Sequence, residues 1–165
     1  MLDRTFELTL YLPRPLRRLH ELVEAMTPLG RVDESTADER LRVDLKEGDT
    51  LVSVTAKIGE TDIMPGDDYT TLGFPPTMEI NVSTAVTTTD AARALARLAL
   101  ALARRYAAVI DADGVLEVSP KAHPGRLGLL RFEMMDGTEF RYVSVFDADF
   151  LQAWIDDPAF HLIAT

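Results

Sequence analysis

A chain of 165 residues has the length of one domain and is long enough to bury a sizeable core. With 27 acidic against 17 basic residues its net charge is −10, which disfavours general nucleic-acid binding, since that rests on neutralising phosphates. It contains no cysteine, which removes disulfides and all cysteine-based metal and nucleophile chemistry.

The N-terminus lacks the basic start and apolar stretch of a signal peptide and runs straight into a strand pattern. Residues 5–12 alternate, with Phe6, Leu8, Leu10 and Leu12 on one face and Thr5, Glu7, Thr9 and Tyr11 on the other. Leu16, Leu19, Leu22, Val23 and Met26 then recur at helical spacing. Pro15 suits the first turn of that helix, and Pro28 and Gly30 end it. Residues 31–39 are polar and acidic and read as a solvated connection.

Leu41, Val43 and Leu45, then Val52, Val54, Ala56 and Ile58, alternate with polar residues around a Glu47-Gly48-Asp49 turn, which predicts a hairpin. Gly59 to Pro76 shows no periodicity; loops of this length often carry function. Met78, Ile80 and Val82 mark a further strand. Asp90 to Tyr106 is the strongest helix in the chain, with Thr89 or Asp90 as its cap. Leu95, Leu98, Leu102 and Tyr106 form its inner ridge, and Arg93, Arg97 and Arg104 a wet stripe opposite. The arginines interrupt its apolar run, so it does not read as a membrane span.

Ala107 to Ile110 predicts a strand, Asp111-Ala112-Asp113-Gly114 a turn, and Val115 to Val118 a short strand. Ser119 to Gly128 is a connection. Leu129 to Met135 and Thr138 to Phe146 flank Asp136-Gly137, a hairpin signal. A two-residue turn would set Phe132 opposite Arg141. A three-residue loop would pair Phe132 with Tyr142 and Glu133 with Arg141, and is favoured because such cross-strand pairs stabilise a sheet by roughly 0.2–1 kcal/mol each. Asp147 caps a last helix with Phe150, Leu151 and Trp154 inside.

This order predicts an α+β fold: a mostly antiparallel sheet with two helices on one face, a ferredoxin-like variant, plus a C-terminal hairpin and short helix. Residues 1–165 read as one domain, with 119–165 as its appendage. The first strands each carry a polar face, so the other side of the sheet is expected to be wet or a contact surface.

No catalytic or cofactor motif stands out, and neither a cofactor nor a metal is expected. Asp62, Asp67 and Asp68 match no cation-loop spacing, and the run from Asp111 to Glu117 puts Ala122 where a calcium loop needs its bidentate acid. His20, His123 and His161 form no His-x-x-x-His pair. None of Ser35, Ser53, Ser83, Ser119 or Ser144 sits in a Gly-x-Ser-x-Gly elbow. The outward sheet positions offer Tyr11 as their one aromatic, too few for base stacking.

Ala96 to Leu116 contains Tyr106-Ala107-Ala108-Val109-Ile110-Asp111-Ala112-Asp113-Gly114, a helix ending in an aromatic followed by small residues, a β-branched pair and an acidic turn. This segment resembles immunity-type proteins of bacterial toxin–immunity systems, although their pattern favours glycine at Ala107 and Ala108. The resemblance implies a small acidic cytoplasmic protein that blocks a toxin and has no catalysis of its own. Together with the acid excess it yields the expected function: a non-catalytic protein-binding protein that meets a basic partner, with no nucleic-acid or membrane partner. Asp62, Asp67, Asp68 and Tyr69 are its candidate partner-binding residues. The alternative is a small-molecule-binding or regulatory α+β module.

Overall fold

The computed structural model describes residues 4–37, 40–47, 50–57, 70–119, 123–133 and 139–165. Among these, one antiparallel sheet of eight strands is combined with three α-helices, an α+β fold. The strands are β1 (Phe6–Leu12), β2 (Arg31–Ala37), β3 (Arg40–Glu47), β4 (Thr50–Lys57), β5 (Met78–Thr84), β6 (Val109–Asp111), β7 (Leu127–Glu133) and β8 (Phe140–Phe146). The helices are α1 (His20–Met26), α2 (Thr89–Tyr106) and α3 (Ala148–Asp156). The strand order is β2-β3-β4-β5-β1-β6-β8-β7, so the first strand lies inside the sheet.

Alternation decides the two faces. Leu8, Leu10 and Leu12 of β1 and Met78, Ile80 and Val82 of β5 are all buried. They share one large core with Leu22 and Met26 of α1, with α2, and with Phe150, Leu151 and Trp154 of α3. The inner ridge of α2 is as its spacing predicts, with Leu95, Leu98 and Leu102 buried. The helix is capped one residue earlier than expected. Thr88 Oγ1 accepts from the Ala91 backbone N–H, because Thr88 keeps the extended backbone a cap needs while Thr89 is already helical. It ends at Ala107, whose φ of 53° lies in the left-handed region that favours glycine.

The arginine stripe divides. Arg97 and Arg104 are exposed, but Arg93 is partly buried: its guanidinium donates to the Ile155 carbonyl and lies 5.0 Å from the centre of the Phe160 ring. The reason is α3, which covers the side of α2 that the helical spacing alone turns toward solvent. Asp147 caps α3 as expected, with Oδ1 accepting from Phe150 N–H at 2.9 Å and Oδ2 from Arg126 N–H at 3.0 Å. Gly125, at φ 86°, passes so close that a Cβ there would lie 2.4 Å from the Phe150 nitrogen.

Four local expectations are corrected. Residues 31–37 form strand β2, paired along β3, rather than a solvated connection. As an edge strand with Val32 as its partly buried apolar contact, it shows no hydrophobic alternation. Helix α1 begins at His20, not at Pro15; Leu16 is instead buried, with its N–H on Met78 Sδ at 3.2 Å. Val115 to Val118 is not a strand, although the Leu116 N–H bonds Ser144 Oγ at 2.8 Å.

The fourth correction is the hairpin register. Phe132 pairs with Arg141 and Arg131 with Tyr142, the register that the cross-strand pairs disfavour. It sets Leu130 opposite Val143 and Gly128 opposite Val145. These face a second, smaller core of Tyr11, Leu72, Leu130, Val143 and Val145 on the other side of the sheet. A slip of one residue would turn those valines out of it, so their burial outweighs any surface pair. The outer face is therefore polar over β1 and β5 but covered at β8 and β7, where Leu72 of the 70–76 stretch is buried.

Candidate functional site

On the polar outer face the antiparallel register brings residues distant in sequence side by side. Thr9 of β1 lies between Asn81 of β5 and Asp111 of β6, and its hydroxyl donates to Asn81 Oδ1 at 2.9 Å. Tyr11, the next outward residue of β1, donates its hydroxyl to Asp111 Oδ2 at 2.8 Å. Around this pair is a concavity of about 370 Å³ in which, among the described residues, four carboxylates (Glu7, Glu79, Asp111 and Asp113) stand against one arginine, Arg141.

Asp111 is the buried member, 6% exposed. Its Oδ1 accepts from the backbone N–H of Asp113 at 2.7 Å, closing the turn read in the sequence. Asp113 is itself left-handed, at φ 57°. An aspartate tolerates that backbone better than most residues. It is held by Arg141 Nη2 at 2.7 Å on Oδ1 and by the Thr165 hydroxyl at 3.1 Å on Oδ2. Burial raises the pKa of Asp111 from 3.8 to about 6; the Asp113 N–H and the Tyr11 hydroxyl oppose the shift, the Asp113 carboxylate adds to it, and Arg141 opposes it.

This shift makes a testable statement about stability. The folded state holds the Asp111 proton more tightly than the unfolded chain does. The contribution is complete below 3.8 and is lost as pH rises through about 6. The shift of roughly two units corresponds to about 3 kcal/mol withdrawn at neutral pH. Asp111→Asn, which stays neutral, is expected to gain on the native chain by up to about that much between acid and neutral pH. Urea melts of both proteins across that range measure the gain. A difference between them that does not change with pH would show that Asp111 ionises as a surface carboxylate.

The partner-binding candidates read from the sequence are other residues. Asp62, Asp67, Asp68 and Tyr69 lie outside the described residues. The adjoining residues 70–76 sit on the outer face: Thr71 Oγ1 donates to the Leu129 carbonyl at 3.0 Å, with the sheet between them and α2. The histidines are dispersed. His20 lies 3.4 Å from Glu34, His161 Nδ1 is 3.0 Å from the Ala159 carbonyl, and His123 Nε2 is 3.1 Å from Asp157 Oδ2. Ser53 and Ser144 hold Asp44 and the Leu116 N–H respectively. Among the described residues no cluster of three or more His, Asp or Glu side chains is placed to hold a metal ion. Among them, too, no helix is long and apolar enough to cross a membrane.

The Tyr11–Asp111 pair was missed in the sequence, where 100 residues separate its members. The available signal was Tyr11 itself, the one aromatic among the outward positions. What the concavity can do chemically is attract positive charge, because like carboxylates in a walled depression focus their field.

No curated protein and no solved structure matches the chain. A family model matches residues 16–164, nearly the whole length, and the chain belongs to that family, DUF6368, a family of unknown function.

Proposed function

We propose that this is a non-catalytic binding protein whose acidic outer sheet face receives a basic partner protein. The observation that carries the reading is the excess of carboxylates in the concavity, four against one arginine among the described residues, on a chain of net charge −10. A lysine or arginine side chain of the partner is the natural occupant, and the summed field would speed encounter and make it salt-sensitive. The local resemblance to immunity-type proteins agrees with a bacterial, cytoplasmic inhibitor of a toxin or nuclease. Asp62, Asp67, Asp68 and Tyr69 are proposed to extend the same surface. The fold is also read as a ferredoxin-like variant with two helices on one face. What supports this is the inner order β4-β5-β1-β6, with α1 following β1 and α2 joining β5 to β6.

The alternative, a small-molecule-binding or regulatory module, has a more apolar depression beside Val109, Leu127, Val145 and Phe146 in its favour. At about 240 Å³ it falls below the size of most ligand sites. The test uses the product of the reading frame adjacent to this gene as partner. Association is expected to slow with salt. Glu7→Gln/Glu79→Gln and Asp67→Asn/Asp68→Asn should each lower the low-salt on-rate by roughly tenfold. An on-rate and salt slope unchanged in both double variants would remove the acidic face from the binding surface.

A further inference from the structure

Away from the acidic face, the β1–α1 connection and the last turn of α2 enclose a groove of about 590 Å³ with the opposite charge. Arg14 and Arg17 come from the connection, Arg105 and Tyr106 from α2, and Glu21 from α1. The local sequence makes this wall stiff. Pro13 and Pro15 fix their own φ, and Pro15 also restricts Arg14 before it. Leu16, buried and bonded through its N–H to Met78 Sδ, pins the chain between Arg14 and Arg17.

Three other arginines of this acidic chain find carboxylates: Arg18 with Glu24, Arg42 with Asp44, Arg141 with Asp113. Arg14, Arg17 and Arg105 are exposed and form no ion pair with a described carboxylate, Glu21 included. Beside them the Tyr106 hydroxyl is enclosed and within reach of the Arg105 guanidinium, which lies 5.9 Å from the centre of its ring, and it donates to no acceptor. A buried hydroxyl whose proton meets no acceptor is a cost that an incoming acceptor would remove.

We propose that this groove binds a phosphate group, with Arg14, Arg17 and Arg105 on its oxygens and the Tyr106 hydroxyl donating to one of them. Guanidinium forks suit phosphate oxygens, and three of them match a dianion better than a carboxylate's single charge. The ligand is small. A nucleic acid would carry its charge across the rest of a −10 surface, whereas a single phosphate meets the groove alone. Glu21 stands ready to accept a hydrogen bond from a hydroxyl or amino group, which favours an organic phosphate over the free ion. This site is separate from the outer sheet face and stands or falls independently of it.

Calorimetric titration of the full chain with inorganic phosphate, O-phosphoethanolamine and acetate tests the proposal. It is done above about pH 7, where phosphate monoesters are dianions. Both phosphates are expected to bind one to one with a Kd below roughly 1 mM, and acetate at least about tenfold more weakly. The phosphate with the amino group should bind more tightly than the free ion, a preference lost in Glu21→Gln. Arg14→Gln/Arg17→Gln should weaken both phosphates by about tenfold or more. Tyr106→Phe should weaken them by roughly threefold to tenfold with a thermal melt no lower than that of the native chain. Absence of binding up to roughly 10 mM would overturn the site. So would equal affinity for acetate, or binding that survives Arg14→Gln/Arg17→Gln/Arg105→Gln in a protein whose melt is native.

Discussion

Trp154→Ala is expected to cost about 3–5 kcal/mol, the largest loss of any single truncation described. Trp154 is 2% exposed. Its ring meets Phe160 at 5.9 Å, His123 at 5.7 Å and His161 at 5.3 Å between centres, and its Nε1–H donates to the His161 carbonyl at 3.3 Å. Alanine would remove a large buried ring and leave that carbonyl without its donor. It would also loosen the residues after α3, including Phe160, on which Arg93 rests. For a domain of this size the loss lowers Tm by roughly 10 °C. Because Trp154 is the one tryptophan, urea unfolding is followed by circular dichroism rather than fluorescence. A loss under about 1.5 kcal/mol would mean that α3 is a peripheral layer and not part of the core.

Leu98→Ala is expected to cost about 2–5 kcal/mol, the range for leucines in a packed interior. Leu98 is 3% exposed on the ridge by which α2 joins the large core. Two arginines on the same helix calibrate it. Arg97→Ala changes an exposed side chain and should cost under about 1 kcal/mol. Arg93→Ala should fall between the two, since it deletes a donor to the Ile155 carbonyl and a cation over the Phe160 ring. Chemical denaturation of the three variants gives the order directly. Equal losses for Leu98 and Arg97 would place the helix in a different rotation, and an Arg93 loss as small as Arg97's would detach α3 from it.

How much of this was legible follows from where the forces originate. Strand β1 and helix α2 declare themselves because one face of each enters the large core, so alternation and a 3.6-residue period appear in the letters. Strand β2 does not, because an edge strand is held by the backbone of β3 and owes little to its own side chains. Arg93 looked like Arg97 because a helix wheel knows its own faces but not what α3 lays against them. The hairpin register was decided by Leu72 and Tyr11, which lie outside the hairpin, so local pairing preferences pointed the wrong way. The site shares this property. Tyr11 and Asp111 are each unremarkable in context, and only the adjacency of β1 and β6 makes them a pair. The Asp111–Gly114 turn was readable from its composition. The burial of Asp111 was not, since it depends on the neighbouring strands.

The interior position of β1 also governs the order in which the molecule can assemble. The strand is synthesised first, yet Leu10 pairs with Ile80 on one side and Ile110 on the other. Until those segments exist, β1 carries four apolar side chains and two unsatisfied backbone edges. The β2-β3-β4 meander, closed by neighbouring segments, has no such wait. Nucleation is therefore expected in the meander, and insertion of β1 between β5 and β6 late, since it closes loops of about 100 residues. A nascent chain halted before β6 would expose β1 as an open edge, a template for pairing with other chains. This places at the ribosome an aggregation risk that β1, paired on both sides in the finished sheet, no longer carries.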